Sequence, residues 1–226
     1  MQPCALVFDL DGLLVDTESV DFTAWDRAYR DWGHELPRAD WIARIGSDGR
    51  GFDPLGHLES LVGERFDGEA LQAARRAHRD ALLADLEPMA GVRELLDAAD
   101  RRGLARAVAS SSDRQWVHAR LEHAGLRARF EVLRCAEDVH RVKPDPDLYL
   151  AALEALAVGP AEAVAFEDSP NGVAAAAAAG LFCVAVPGPM TRGQTFEGAD
   201  LVVTSLAEIS LDALLEAVAT RRGSAR

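Results

Sequence analysis

Cysteine is scarce in this chain of 226 residues, with three in all: Cys4, Cys135 and Cys183. The number is odd, no CxxC pair occurs and no cysteine stands beside a histidine, which argues against a disulfide framework or a zinc site. Each lies in a short apolar run and is expected to be a small buried hydrophobe in a reducing compartment. Positive charge is also in short supply: 24 Lys and Arg face 37 Asp and Glu, a net charge of −13. A surface that acidic repels nucleic acid and anionic lipid, so neither is expected as a partner. It also repels phosphate, so any phosphorylated substrate needs local cations or a bound metal. Long apolar runs are missing, with none near the roughly 18 residues of a membrane span. The N-terminal residues have no signal-peptide pattern, and a cytoplasmic monomer is the expectation.

What is present is 49% hydrophobic residues, enough for a packed core. Short apolar runs alternate with helical periodicity. Cys4–Phe8, Ala105–Ser110, Val132–Cys135, Ala163–Phe166, Phe182–Val186 and Leu201–Val203 read as buried strands bounded by turn or charged residues. Helices are expected over Val92–Arg102, Arg114–Ala124, Asp147–Ala157, Pro170–Ala179 and Leu206–Ala219. Ser112 or Asp113 caps the second of these, Asp145-Pro146 opens the third, and Ser169-Pro170 opens the fourth, which ends at Gly180. The alternation implies an α/β fold with a parallel sheet covered on both faces.

One stretch breaks the pattern. From about Glu18 to Asp85 only helical spacing is found. Phe22, Trp25, Tyr29 and Trp32 share one face, as do Leu71, Ala74, Ala77, Ala81 and Leu82, and shorter helices lie around Trp41–Ile45 and Leu55–Val62. An all-helical insert therefore follows the first strand, and its aromatic stripe is expected to be core.

Four polar clusters fall at predicted strand ends, where an open parallel sheet binds its ligands. Asp9-Leu10-Asp11-Gly12 follows the first strand. Two carboxylates so close repel unless a cation lies between them or one is protonated, so the motif is either a site for magnesium, which prefers such oxygen ligands, or a strand-end turn with solvated aspartates. Ser110-Ser111-Ser112-Asp113 offers hydroxyls and amides at a helix start, either an anion site or an ordinary cap. Lys143 has acidic sequence neighbours at Asp138, Asp145 and Asp147, and is either a surface cation or a phosphate ligand. Glu167-Asp168 is a second acidic pair, as a divalent cation requires. Each is weak alone; together they supply a nucleophile, hydroxyls, a cation and metal ligands in one crevice.

The segments FDLDGLLVDTE (Phe8–Glu18), VASSSD (Val108–Asp113), KPDPDLYL (Lys143–Leu150) and FEDSPNGVAAAAAAG (Phe166–Gly180) resemble those of the haloacid dehalogenase superfamily, in its phosphatase and β-phosphoglucomutase-like branch. The resemblance implies a Rossmann-like core, residues 1–16 and 87–226, with a helical cap at 17–86. It implies Asp9 as nucleophile and Asp11 as general acid and base. Ser110, Ser111 and Lys143 would bind the phosphoryl group, and Asp9, Asp11 (through its carbonyl), Glu167 and Asp168 would hold Mg2+. Asp16-Thr17 and Leu86–Pro88 are the candidate hinges, and Arg44, Arg50, Arg75 and Arg76 are cap cations that either touch substrate or sit on solvated faces. The expected reaction is hydrolysis of a small phosphate ester, a sugar phosphate or a phosphoglycolate-like acid. A sugar phosphomutase is the alternative, but its branch implies a histidine where Asp21 stands, and IGSDGRG fits its cap loop loosely. A non-catalytic binding protein on the same fold is a third reading.

Overall fold

In a computed structural model that describes residues 3–46, 51–63 and 66–224, six parallel strands form one sheet. They are β1 (Ala5–Phe8), β2 (Ala105–Ala109), β3 (Val132–Arg134), β4 (Ala163–Glu167), β5 (Phe182–Ala185) and β6 (Leu201–Val202). Their spatial order is β3-β2-β1-β4-β5-β6. The chain moves outward from β1 in one direction and then returns to fill the other side. The order therefore reverses between β1 and β4, and a crevice opens at their carboxyl ends. Phe8 and Phe166 are in register there, their rings stacked at 4.7 Å, and Asp9 N donates to the Phe166 carbonyl at 3.0 Å.

Side chains of β1 alternate between two cores, as the pleat requires. Leu6 and Phe8 pack with helices α5 (Val92–Arg101), α6 (Arg114–His123) and α9 (Leu211–Ser224). Ala5 and Val7 pack with α7 (Asp147–Leu156) and α8 (Pro170–Ala178). Alanines at 107, 109, 163, 165, 175 and 176 make the second core thin and bring those two helices close to the sheet.

Four helices intervene between β1 and α5: α1 (Thr17–Asp31), α2 (Arg38–Ala43), α3 (Pro54–Val62) and α4 (Gly68–Leu83). They enclose a separate cluster of Trp25, Tyr29, Trp41, Leu58 and Leu71, into which Met190 from the sheet region also packs. The two connections to the core lie side by side, with Val15 bridging Pro88 and Met89 N donating to the Leu14 carbonyl. The insert touches the core again at its α2 end. Asn171 Nδ2 donates to the Ile45 carbonyl at 2.8 Å, and a side chain at Gly46 would begin 2.1 Å from Ser169 Oγ.

Several expectations need correction. Cys4 is exposed, because it lies just before β1, at the amino end of this central strand; Cys135 and Cys183 are buried as expected. Trp32 is 38% exposed, since α1 ends at Asp31 and the chain turns away. The last expected helix is broken. Leu206–Glu208 is a single 3-10 turn, Ile209 is extended, and α9 starts afresh with Ser210 Oγ accepting from Ala213 N. Pro146, and not Asp145, is the residue before α7, and it gives no side-chain cap. Arg50 lies outside the described residues.

Candidate active site

Asp9 leaves the sheet at the end of β1 and meets the ends of β4 and the loop before α7. Its carboxylate accepts a hydrogen bond from Lys143 Nζ, which also lies 2.6 Å from Glu167 Oε1. Lys143 is 2% exposed, and its sequence neighbours are not its partners. Asp145 and Asp147 pair with Arg141, and Asp138 pairs with Arg114. A buried ammonium needs buried carboxylates, and these come from β1 and β4. Glu167 Oε1 also accepts from Tyr149 Oη at 2.5 Å, so α7 helps to aim Glu167. Burial first, then the charges of Glu167 and Asp9, raises the Tyr149 phenol well above its ordinary range and keeps it a donor.

Asp9, Glu167 and Asp168 each offer a carboxylate oxygen within 4.8 Å of the others, and all three are buried. One ammonium among three carboxylates leaves the cluster short of positive charge. Burial accordingly lifts Asp9 from 3.8 to about 8, against the pull of Lys143, and raises Asp168 well above the carboxylate range. A hard divalent cation fits this all-oxygen donor set. Gly12 makes the close packing possible. Its φ is +84°, and a Cβ there would fall 2.2 Å from Asp168 Oδ2.

Asp11 stands apart from that cluster. Its Oδ1 accepts from Thr17 Oγ1 at 2.6 Å and Trp116 Nε1 at 2.8 Å. Its Oδ2 accepts from Ser112 Oγ at 2.7 Å and Ser110 Oγ at 3.4 Å. Ser110 is buried after β2, and its Oγ also accepts from Ser112 N. Ser111 Oγ turns to the Gly46 carbonyl of the insert at 3.4 Å. Of the two possible caps of α6, Asp113 takes that role, accepting from Trp116 N at 2.7 Å.

A cavity of about 260 Å³ opens beside Asp11, lined by Thr17, Glu18, Asp21, Arg79, Ser112 and Trp116. Burial first, then the charges of Asp11 and Asp21, holds Glu18 well above its ordinary range. Asp21 is tied to Arg75 Nη1 at 2.9 Å, and Arg75 also lies on the Trp25 ring. Arg44 lies over Trp41, and Arg76 lines a groove with Phe66 and Gln72 that includes none of the acidic cluster. A cleft of about 360 Å³ between α1 and α4 likewise contains no strand-end residue.

Asp9, Lys143, Glu167 and Asp168 thus converge, and Asp11, Ser110 and Ser112 form an adjoining group. Sequence reasoning did not find Thr17, Tyr149, Trp116 or Arg79 as members of the site. Thr17 and Tyr149 stand inside the quoted FDLDGLLVDTE and KPDPDLYL segments, which could have marked them; Trp116 and Arg79 carry no such signal.

Residues 5–180 match the family model described as haloacid dehalogenase-like hydrolase. The protein YhcW of Bacillus subtilis (strain 168) is 41% identical over 94% of this chain and 96% of its own. Hexitol phosphatase A of Escherichia coli (strain K12) is 32% identical, covering 91% of this chain and 92% of its own. The crystal structure of CbbY from Rhodobacter sphaeroides in complex with phosphate is 30% identical and superimposes with a TM-score of 0.75, covering 95% of this chain and 99% of that one. On the sequence match, the sheet order and the helical insert together, the chain belongs to the haloacid dehalogenase-like hydrolases.

Proposed function

We propose that the chain, a phosphoric monoester hydrolase of this family, hydrolyses a small phosphorylated metabolite, a sugar phosphate or phosphoglycolate-like acid, through an aspartyl-phosphate at Asp9. The reading is carried by one observation: a buried carboxylate, Asp9, is hydrogen-bonded to a buried lysine and lies within ligand distance of two more carboxylates. A carboxylate oxygen of Asp9 attacks phosphorus and the bond to the leaving oxygen breaks. Asp11 gives that oxygen a proton. It then takes one from a water, whose oxygen attacks phosphorus and frees Asp9 as inorganic phosphate leaves.

Lys143 and Ser110 bind the phosphoryl oxygens, and Ser111 contributes its backbone amide, since its hydroxyl is turned to Gly46. Magnesium would be held by Asp9, the Asp11 carbonyl and Asp168, with Glu167 beside them, and would supply charge neutralisation at the phosphoryl group. Glu167 Oε1 is committed to Lys143 and Tyr149, so Glu167 also fixes the lysine. Residues 17–86 act as a cap on a core of 1–16 and 87–226, hinged at Asp16-Thr17 and Leu86–Pro88, and exclude bulk water between the two steps. The protein is read as a cytoplasmic monomer; among the described residues no helix is long and apolar enough to cross a membrane.

The test is phosphate release from a panel of sugar phosphates, hexitol phosphates and 2-phosphoglycolate, with and without magnesium. Magnesium-dependent release from at least one member is expected. No release from any member refutes the reading.

A further inference from the structure

Trp116 is one of four tryptophans, and its indole N–H reaches the carboxylate assigned above as acid and base. Nε1 donates to Asp11 Oδ1 at 2.8 Å. The backbone of the same residue is fixed by Asp113, which accepts from Trp116 N. On the ring itself lie two guanidinium groups. Arg120, one turn further along α6, has its Cζ 4.9 Å from the ring centroid. Arg79, from α4 of the insert, is 5.0 Å away. Burial first, and then the neighbouring charge of Arg79, lowers the Arg120 pKa, and Arg120 Nε has no hydrogen-bond partner. Two like charges gather here because the indole π face and the nearby carboxylates Asp11 and Asp80 hold them. Cations on the face draw density from the ring and make its N–H a stronger donor to a carboxylate.

We propose that Trp116 is a positioning residue for Asp11, and that Arg79, by docking on the indole, links the seating of the insert to the aim of the acid and base. The inference rests on the role given to Asp11 above. Trp116 does not touch the reacting atoms in this account; it acts through Asp11. Thr17 Oγ1 shares the same Asp11 oxygen at 2.6 Å and is the first residue of α1, so one carboxylate oxygen is held from the insert's near end and, through Trp116, by its far helix α4. A purely space-filling tryptophan would need neither the N–H contact nor the guanidinium of Arg79.

Trp116→Phe keeps a ring for the arginines and removes the donor. Its kcat/KM is to be measured on an alkyl phosphate and on p-nitrophenyl phosphate. An alkoxide must be protonated to leave and a nitrophenolate need not be, so the alkyl ester is expected to lose about tenfold or more and the aryl ester less than about threefold. Because both rates come from one preparation, a fraction of misfolded protein cancels in the ratio. Equal losses, or none, overturn the proposal. Independently of turnover, the indole 15N–H resonance of Trp116, identified by its disappearance in Trp116→Phe, is expected to shift in Asp11→Asn and in Arg79→Gln. A resonance unmoved by either change overturns the link. Wild-type protein inert to both esters and to every member of the metabolite panel would sink the hydrolase reading instead, and the resonance experiment would then decide the Trp116 contact alone.

Discussion

Lys143 Nζ and Glu167 Oε1 form an ion pair of 2.6 Å between side chains that are 1% and 0% exposed. The pair is closed off from solvent, and the same ammonium also serves Asp9. Removing the lysine strands two carboxylates in the interior. Lys143→Met, which keeps the chain length and apolar stem, is expected to destabilise by about 3–5 kcal/mol at neutral pH. For a chain of this size that is a fall in Tm of roughly 10 °C. Adding Glu167→Gln should restore part of the loss, because one stranded charge is removed. A single variant melting within a degree or two of wild type would show that the pair does not hold the site together.

The charge deficit of the acidic cluster should make stability depend on pH and on the proposed metal. Asp9 is raised from 3.8 to about 8, and Asp168 and Glu18 are raised in the same direction, with burial the first cause in each. A carboxyl with a raised folded pKa contributes stability that is fully present below its unfolded value and is lost as pH climbs through the folded one. The metal-free protein should therefore lose stability between about pH 4 and pH 8. Lys143, raised above its ordinary 10.5, changes nothing in that window. Magnesium held as proposed would bind the ionised carboxylates, so its stabilising effect should grow with pH. Thermal melts with MgCl2 or EDTA are expected to differ more at pH 8 than at pH 5. Asp168→Asn should reduce the difference. A metal effect that is constant or shrinks with pH would contradict this account.

Gly12 is where backbone freedom and packing meet. At φ +84° an L side chain is strained, and a Cβ would strike Asp168 Oδ2. Gly12→Ala must either shift the loop or push Asp168 away. The backbone term alone is about 1–2 kcal/mol, so the protein should still fold. Magnesium affinity, read from the metal dependence of turnover, is expected to fall at least about tenfold, the scale of disturbing a metal site's supporting shell. An unchanged metal dependence would separate Gly12 from the carboxylate's placement.

Much of this arrangement was legible in the sequence, for a physical reason. Strands of a doubly covered parallel sheet are short, continuous apolar runs, and the polar residues that end them are its ligand-facing loops. Asp9, Ser110, Glu167 and Asp168 could be placed by that logic, and the insert by its helical periodicity. The partners of Lys143 could not. Its acidic neighbours in sequence pair with arginines at the surface, while the carboxylates it meets arrive from distant strands. Trp116 lies in a helix whose apolar face also carries Val117 and Leu121. Spacing alone does not tell that its N–H points to Asp11. Cys4 and Trp32 misled because each lies at the end of an apolar pattern, where burial depends on how the chain leaves the element.

The nucleophile assignment is tested most directly by Asp9→Asn. An amide oxygen is a poor nucleophile and cannot give a labile acyl phosphate, so turnover is expected to fall at least about 10³-fold once contaminating wild type is excluded. Brief mixing of wild-type protein with a radiolabelled substrate and acid quench should trap label that is lost at alkaline pH, as an acyl phosphate requires, and Asp9→Asn should trap none. Near-normal turnover in the variant would remove Asp9 from the chemistry.

The fate of that phosphoryl group distinguishes a hydrolase from a mutase. A mutase must shield the phosphoenzyme from water and return the phosphate to its bound sugar. Asp21, where that branch is expected to carry a histidine, is instead held by Arg75 at 2.9 Å beside the cavity. A carboxylate paired in this way does not offer the neutral imidazole that could take up the proton a sugar hydroxyl loses as it attacks the phosphoenzyme near neutral pH. With β-glucose 1-phosphate and magnesium, any phosphoenzyme formed is expected to be lost to water. Inorganic phosphate should accumulate while glucose 6-phosphate stays below about a tenth of it, a margin equivalent to ~1.4 kcal/mol of preference for water over the sugar. Glucose 6-phosphate as the main product would reverse the assignment and would show that the site excludes water without a histidine at position 21.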